Sequence, residues 1–249
     1  MELVIRDIHK RFQETEVLRG ASYRFYSGKI TGVLRGASYR FYSGKITGVL
    51  GRNGAGKTTL FNILYGDLAA DNGTICLLKD NHEYPLTDKD IGIVYSENYL
   101  PEFLTGYEFV KFYMDLHPSD DLMTIDDYLD FMEIGQTERH RIIKGYSDGM
   151  KSKLSLICLM ISKPKVILLD EPLTAVDVVS SIAIKRLLLE LSEDHIIILS
   201  THIMALAEDL CDIVAVLDKG KLQTLDIDRK HEQFEERLLQ VLKGDEYDK

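Results

Sequence analysis

The chain has 249 residues, a net charge of −10 and 45% hydrophobic residues, which supply enough apolar side chains for the core of one large domain. An acidic surface repels phosphate backbones, so this charge argues against a nucleic-acid partner. The apolar runs are far shorter than the ~20 residues of a membrane helix, and the N-terminus lacks the apolar stretch of a signal peptide. We therefore expect any membrane span to belong to another chain.

An identical repeat follows the first predicted strand, at residues 3–8. Residues 17–32 and residues 33–48 both have the sequence VLRGASYRFYSGKITG. Functional repeats diverge and usually occur in three or more copies, because each unit needs neighbours to bury its apolar face. Two identical copies therefore indicate a duplication artefact rather than a functional element.

Each copy has the pattern of two short strands joined by a Ser-Gly turn. Only the second copy is continuous with the glycine-rich segment that follows, so Lys45–Leu50 must be the strand that enters this segment. Either residues 22–26 or residues 38–42 could supply the preceding antiparallel strand. We expect the surplus copy to form a surface loop or an extra edge hairpin, because burying it would require partners for additional backbone amides.

The glycine-rich segment fits the phosphate-binding pattern GxxxxGK[ST]. Glycines let the backbone curl so that successive N–H groups point at phosphate oxygens, and the helix predicted at residues 58–68 directs its positive end at the same anion. Lys57 is suited to a catalytic role in neutralising the β- and γ-phosphates, and Thr58 to ligating Mg²⁺. A plain glycine-rich turn is the alternative, which the strand–loop–helix context disfavours. The residues expected to contact ATP are Gly51, Asn53, Gly54, Ala55, Gly56, Lys57, Thr58 and Thr59.

The remaining elements follow from hydrophobic periodicity. We predict strands at residues 73–78, 91–95, 166–169 and 196–200, helices at 107–116, 125–132 and 180–191, a hairpin at 213–224 and a final helix in the tail. Strands alternate with helices at both ends, and a helical block lies between them. We therefore predict one α/β domain over residues 1–249: a P-loop NTPase sheet with an antiparallel β subdomain and an α-helical subdomain inserted at about residues 98–163.

The buried-strand pattern of residues 166–169 ends in two carboxylates. Ligands of α/β sheets bind at the carboxyl ends of the strands, which is where these acids are expected. Asp170 is suited to holding Mg²⁺, and Glu171 to polarising the attacking water. In isolation such an acidic pair is often a solvated strand end. Combined with the phosphate-binding loop, it predicts a site that binds and hydrolyses ATP.

The order of these motifs resembles that of the nucleotide-binding subunits of ABC transporters, over nearly the whole chain. In that family a signature segment precedes the second carboxylate motif, and here the matching segment is Tyr146-Ser147-Asp148-Gly149-Met150. Ser147 and Gly149 match the family, and the resemblance implies that they contact a γ-phosphate held by the opposite subunit. Asp148 departs from the family, so its side chain is expected to point away from phosphate or to meet a cation. Without this context the segment would be an ordinary helix N-cap.

The resemblance implies three further nucleotide contacts. Asp177 stands at the end of the family's D-loop, although it could equally cap the following helix. His202 matches the switch histidine, which hydrogen-bonds the γ-phosphate and orients Glu171, whereas a histidine after a strand is often incidental. Phe12 matches the aromatic side chain that stacks on adenine, although an isolated Phe would usually belong to the core.

One departure concerns the position after the strand at residues 91–95. The family has a glutamine there that reaches Mg²⁺ and the attacking water, and this chain has Ser96, followed by Glu97. Serine is shorter and would need a bridging water to approach the metal. We expect Ser96 or Glu97 to couple hydrolysis to the partner less tightly, with low or weakly coupled basal ATPase activity.

The resemblance implies an ATPase subunit that powers an ABC transporter through ATP-driven dimerisation. A single set of motifs implies a second nucleotide-binding subunit, identical or related, and the missing spans imply separate transmembrane permease subunits. The protein is then cytoplasmic and peripheral on the inner face of the membrane. The apolar and aromatic residues at 99–113 could dock the permease or pack the helical subdomain. The short cassette with an aromatic-rich signature favours export.

Two alternatives remain at this stage. A soluble ABC-type regulatory ATPase without transport would share the motifs, but such proteins carry two cassettes or long coiled coils. An unrelated P-loop kinase would lack the signature segment and the switch histidine in this order.

Overall fold

The computed structural model describes residues 1–11, 34–97, 99–172 and 178–225. The strands are β1 (Glu2–Lys10), β2 (Leu34–Tyr42), β3 (Lys45–Leu50), β4 (Asn72–Lys79), β5 (His82–Pro85), β6 (Ile91–Val94), β7 (Val166–Asp170), β8 (Ile196–Thr201), β9 (Ile213–Asp218) and β10 (Lys221–Thr224). The helices are α1 (Lys57–Tyr65), α2 (Gly106–Leu116), α3 (Ile125–Phe131), α4 (Gln136–Arg139), α5 (Asp148–Ser162), α6 (Val178–Ser192) and α7 (Met204–Leu210), with a 3₁₀ turn at Ile143–Gly145.

Two sheets organise the fold. The first is antiparallel, with the strand order β2-β1-β4-β5, and the second has the order β10-β9-β3-β8-β7-β6. In the second sheet every neighbouring pair is parallel except the β9–β10 hairpin at one edge. Helices α2 to α5 are inserted between β6 and β7. The predicted fold class is confirmed: an α/β P-loop sheet with an antiparallel β subdomain and inserted helices.

The parallel sheet lies between two hydrophobic clusters. Strands β7 and β8 are buried along their whole length, as expected for strands covered on both faces. Alternate residues of β7 enter different clusters, because successive side chains of a strand point to opposite faces. Ile167 and Leu169 pack with the inserted helices, whereas Val166 and Leu168 pack with α1 and the antiparallel sheet. The sheet therefore holds the two parts of the fold together.

The second copy of the repeat builds the sheets. Strand β2 pairs with β1, with Leu3 opposite Phe41, and β3 lies between β8 and β9. Both strands come from residues 34–50, which include all but the first residue of the second copy. The first copy, with its predicted strand at residues 22–26, lies outside the described residues.

The inserted helices are stabilised at their ends by side chains that the sequence supplies. Thr105 and Thr124 each accept the backbone N–H of the third helical residue, whose carboxylate bonds back to the cap. Arg139 is only 1% exposed, and its guanidinium pairs with Asp126 and Asp130 at 2.5 Å. A buried cation requires such partners, so this group links α4 to α3.

The first helix ends earlier than predicted, at Tyr65 rather than at residue 68. Gly66 follows it with a φ of 98°, and the N–H groups of Gly66 and Leu68 both bond to the Asn62 carbonyl at 3.1 Å. Glycine adopts this left-handed conformation without the penalty of a Cβ atom, so the helix stops there.

Several elements were not predicted, and one prediction cannot be compared with the structure. Strand β5 is exposed along its length and lacks an apolar alternation. Helices α4 and α7 are short, with four and seven residues. The final helix predicted in the tail lies beyond residue 225, outside the described residues. No helix in the described ranges is long and apolar enough to cross a membrane.

The repeat provides its own test of which copy forms the sheet. Phe41 is fully buried, so Phe41→Ala should lower the free energy of unfolding by about 3–5 kcal/mol. The matched control is Phe25→Ala, the same substitution in the first copy, which should leave it unchanged. Urea denaturation of both variants measures the difference. Equal effects from the two substitutions would mean that either copy can enter the sheet.

Candidate nucleotide-binding site

The phosphate-binding loop connects β3 to α1, and its backbone requires glycine at defined positions. A Cβ atom on Gly51 would lie 2.7 Å from the Leu217 carbonyl oxygen in the adjacent strand β9, so no other residue fits there. Gly56 forms the N-cap of α1 with a φ of 109°, and its carbonyl accepts the Leu60 N–H at 2.8 Å. The helix therefore starts at Lys57, with its N-terminal N–H groups at the loop, an arrangement that binds anions.

The middle of the loop is accessible. Asn53 and Gly54 are exposed, and the Ala55 N–H donates to the Arg52 carbonyl at 3.0 Å in a tight turn. Thr59 is buried beneath them at the start of the helix. The loop thus presents backbone to solvent while the helix behind it is fixed in the core.

The Lys57 side chain lies inside the loop. It is 7% exposed, and its Nζ donates to the Gly51 carbonyl at 2.8 Å. Burial lowers the pKa of Lys57, while the nearby charges of Glu171 and Asp170 raise it. An ammonium group held in a partly desolvated position interacts more strongly with a phosphate than an exposed one would.

The Asp170 carboxylate connects three segments. It is 5% exposed; Oδ2 accepts the Thr58 hydroxyl at 3.1 Å, and Oδ1 accepts the Ser200 hydroxyl. Strand register explains the second contact, because Asp170 and Ser200 are direct partners in the parallel β7–β8 pair. Ser200 was not identified from the sequence as a site residue. Only the pairing of two strands distant in the chain reveals it.

Glu171 has an unusual backbone and a histidine partner. Its φ is 52°, in the left-handed region that costs a non-glycine residue about 1–3 kcal/mol. Its N–H donates to the Ser200 carbonyl at 3.1 Å and lies 3.2 Å from the Ser200 hydroxyl oxygen. These two contacts hold the backbone of Glu171 in this conformation. Glu171 Oε2 lies 2.8 Å from His202 Nδ1. The structure therefore brings together the two residues that the sequence predicted as catalytic partners.

The segment after β6 begins beside Asp170. Val94 is the strand partner of Leu169, so Tyr95 and the exposed Ser96 follow at the level of the two carboxylates. The Tyr95 hydroxyl donates to Asp67 Oδ2 at 2.6 Å. Burial raises the pKa of Tyr95 strongly, and the hydrogen bond to Asp67 adds to this effect. Tyr95 was not predicted as a site residue, because a tyrosine at a strand end has no distinguishing signal in the sequence.

The signature segment forms the start of α5. Ser147 is the N-cap, and its hydroxyl accepts the Met150 N–H at 3.3 Å. Gly149 is buried within the first turn, whereas Ser147 and Asp148 are exposed. Tyr146 is buried, and its hydroxyl donates to the Glu138 carbonyl at 2.7 Å. The N-cap pattern is thus present, with the acidic side chain on the outside of the helix end.

Two predicted contacts lie outside the described residues. Phe12, proposed to stack on adenine, and Asp177 of the D-loop are both in segments that the structure does not describe. The first described range ends at Arg11, next to Phe12 in the sequence, and the Arg11 N–H donates to Asp71 at 2.7 Å. Lys10 pairs with the same carboxylate at 2.8 Å, which fixes the end of β1.

The aromatic residues at 99–113 divide between surface and core. Phe109 packs in the helical cluster, with Tyr113 against it. Tyr99, Phe103 and Phe112 are 59%, 80% and 53% exposed. Packing of the helical block therefore explains part of this group, and an apolar surface remains.

The residues at the loop are compatible with Mg²⁺ and nucleotide phosphates. Magnesium in nucleotide sites usually has one or two protein oxygens and completes its coordination with phosphates and water. The Thr58 hydroxyl and the Asp170 carboxylate, 3.1 Å apart at the first turn of α1, provide such a pair. Lys57 and the helix N-terminus supply the positive charge that phosphates need.

This combination of strand, glycine loop, helix and buried carboxylate defines a P-loop nucleotide-binding protein. Comparison with known proteins identifies the family within that class. The sequence profile described as ABC transporter matches residues 34–174. The chain belongs to the ABC transporter family, as an ATP-binding subunit.

Individual relatives agree with this assignment. The chain is 32% identical over 225 residues to YhcH of Bacillus subtilis, an uncharacterised ABC transporter ATP-binding protein, covering 88% of this chain and 68% of that one. It is 34% identical over 182 residues to YxlF of the same species, covering 70% of this chain and 58% of the relative. The chain is also 27% identical to the bacitracin transport ATP-binding protein BcrA of Enterococcus faecalis, covering 89% and 68%.

Solved structures show the same fold. The ATP-binding cassette MJ0796, a dimer bound to ADP and Pi, superposes with a TM-score of 0.71 at 19% identity, covering 89% of this chain and 96% of that one. CbiO1 of Clostridium perfringens, part of the ABC transporter complex cbiONQ, superposes with a TM-score of 0.66 at 25% identity, covering 96% and 94%.

The hydrogen bonds of Ser200 predict the effect of removing its hydroxyl. Ser200→Ala deprives a buried carboxylate of a donor, so the free energy of unfolding should fall by about 1–3 kcal/mol. The Mg²⁺ concentration needed to support binding of a fluorescent ATP analogue should rise by at least about tenfold, because Asp170 loses its orientation. Urea denaturation and a Mg²⁺ titration measure the two effects.

A matched control is Ser162→Ala, which removes a serine hydroxyl bonded to a helix carbonyl in α5. It should leave the Mg²⁺ requirement unchanged. If Ser200→Ala behaves like this control in the Mg²⁺ titration, Ser200 does not orient the carboxylate.

Proposed function

We propose that this chain hydrolyses ATP to power an ABC transporter, and that ATP binding drives two nucleotide-binding subunits together. The observation that carries the proposal is the pairing of Glu171 with His202 at 2.8 Å. Glu171 directly follows Asp170, whose carboxylate accepts the Thr58 hydroxyl. A base, its orienting partner and two metal-ligand oxygens thus converge beside an anion-binding helix end.

Each residue has a defined role in the proposed reaction. Lys57 and the α1 N-terminus bind and orient the phosphates. Glu171 accepts a hydrogen bond from the attacking water and polarises it, while His202 fixes the carboxylate through its Nδ1. Thr58 and Asp170 would hold Mg²⁺, which supplies charge neutralisation on the phosphates. Ser96 contributes to this position through water rather than directly.

A second subunit would complete the site. Ser147 lies at the exposed N-terminus of α5, where a hydroxyl and helix N–H groups can bind a phosphate of the opposite nucleotide. Asp177 would contribute from the D-loop, and Phe12 would stack on the base. The dimeric state of the similar cassette MJ0796 supports this arrangement.

The remaining partners are transmembrane permease subunits. Tyr99, Phe103 and Phe112 are exposed aromatic side chains on the inserted helices and the segment leading to them, and exposed apolar groups of this kind are suited to docking a membrane chain. CbiO1, which has the same fold, is part of such a transporter complex. We propose a cytoplasmic location on the inner face of the membrane and, from the short cassette with its aromatic-rich signature segment, export as the direction of transport.

Trapping ATP should produce the dimer. Glu171→Gln removes the proposed base while keeping the shape of the site, so Mg-ATP should shift the protein from monomer to dimer in size-exclusion chromatography with light scattering. Glu190→Gln, the same change at an exposed position of α6, should stay monomeric. Adding Ser147→Arg to the Glu171→Gln variant should prevent dimerisation. A Glu171→Gln protein that stays monomeric at saturating Mg-ATP would contradict the paired-subunit proposal.

The departure at Ser96 predicts a gain of activity. Ser96→Gln restores a side chain long enough to reach the metal without a bridging water, so basal ATPase activity and its stimulation by the permease should both rise. Phosphate release measures the first, and reconstitution with the permease measures the second. Ser119→Gln, at another exposed serine, serves as the control. Unchanged rates in Ser96→Gln would show that this position does not limit coupling.

A further inference from the structure

The Tyr95 side chain joins two segments that are far apart in sequence. Its hydroxyl donates to Asp67 at 2.6 Å, and its ring makes edge contacts with Tyr65 and Tyr99, each with ring centroids 6.4 Å apart. Tyr65 is the last residue of α1, and Asp67 follows two residues later. The phenol is therefore anchored at the C-terminal end of the helix whose N-terminal end holds Lys57.

The position of Tyr95 in the chain makes this contact significant. Strand β6 ends at Val94, and the chain then leaves the parallel sheet for the inserted helices, which return only at β7. Residues 95–105 are thus one of two covalent connections between the sheet and the helical block. The exposed aromatic residues Tyr99 and Phe103 lie on this same connection. Whatever fixes its first residue influences the orientation of the helical block.

The α1 helix is a rigid connection between the phosphate-binding loop and Asp67. It is nine residues long, and Leu60, Phe61 and Leu64 on it are buried in the core. A helix packed in this way moves as a unit, because its backbone hydrogen bonds and core contacts resist bending. The phosphate-binding loop at one end of α1 and Asp67, two residues beyond the other end, are therefore connected by a single packed helix.

We propose that Tyr95 is a positioning residue, and that its hydrogen bond to Asp67 transmits nucleotide occupancy of the phosphate-binding loop through α1 to the connection at residues 95–105. In this chain the serine at position 96 is too short to sense the nucleotide directly, and the tyrosine before it provides an indirect link. The link reaches the connection that carries the exposed side chains of Tyr99 and Phe103. This inference goes beyond the proposed ATPase activity, because it concerns how the nucleotide state reaches the docking surface.

The hydrogen bond between Tyr95 and Asp67 is tested by removing its donor and its acceptor in separate variants. Tyr95→Phe removes the donor, and Asp67→Ala removes the acceptor. Asp67→Asn retains a carbonyl oxygen that can accept the phenol proton. The matched control is Tyr39→Phe, which removes another half-buried hydroxyl that is hydrogen-bonded to Thr224 at 3.0 Å in a different part of the fold.

Two measurements report on the link. The first is amide hydrogen exchange of residues 96–105 with and without Mg-ATP, which requires nucleotide binding but not hydrolysis. The second is the kinetic split between kcat and KM for ATP. We expect ATP to slow exchange in this segment in the wild type and to have no such effect in Tyr95→Phe or Asp67→Ala. In both variants kcat should fall about tenfold with KM within twofold of the wild type, since a hydrogen bond to a charged acceptor is lost away from the nucleotide.

The pattern across variants distinguishes a specific link from a general loss of stability. Asp67→Asn should restore most of the wild-type behaviour, and Tyr95→Phe combined with Asp67→Ala should be no worse than either change alone. Tyr39→Phe should match the wild type in both measurements. The proposal is overturned if ATP does not protect residues 96–105 in the wild type, if Tyr95→Phe keeps that protection, or if the double variant shows additive losses. A wild-type protein that binds ATP and shows the protection without turnover would reject the ATPase proposal and leave this one standing.

Discussion

The Asp170 carboxylate is a charge placed inside the sheet, and the local structure depends on satisfying it. A carboxylate that is 5% exposed is tolerated only with hydrogen-bond donors around it, which here come from Thr58 and Ser200. Those donors belong to the helix after β3 and to strand β8, so three neighbouring strands must keep their register. A shift of one residue in β7 would turn the carboxylate to the other face of the sheet. The geometry of the candidate site is thus a consequence of strand pairing.

The sequence predicts the parts of this arrangement that have local signals. The apolar runs that became β7 and β8, the glycine loop and the helix after it were all located, because periodicity and glycine spacing are properties of short segments. The end of α1 was placed three residues too late, since the glycine that stops it resembles any other glycine. The Ser200 and Tyr95 contacts could not be predicted, because each joins residues about 30 positions apart through strand register or helix packing. The roles of Phe12 and Asp177 stay predictions.

The inserted helices are joined to the parallel sheet by two chain connections and by the hydrophobic cluster that includes Ile167 and Leu169. The connection that leaves β6 begins beside the carboxylates, whereas the return connection enters β7 at Val166, at the opposite edge of the sheet. Events at the phosphate-binding loop therefore have a short physical route to the helical block. The proposed partner surfaces lie on that block: the signature segment at the start of α5 and the exposed aromatics of the connection and α2.

The left-handed backbone of Glu171 sets stability against activity at a single position. Glycine would relieve this conformation, so a Glu171→Gly protein gains about 1 kcal/mol from the backbone and loses the proposed base. Procedures that rank substitutions by folding energy, whether computational redesign or selection for thermal resistance, would favour that exchange. The substitution that relieves this backbone strain is therefore the one that removes the proposed base, so stability and the proposed activity make opposite demands on position 171.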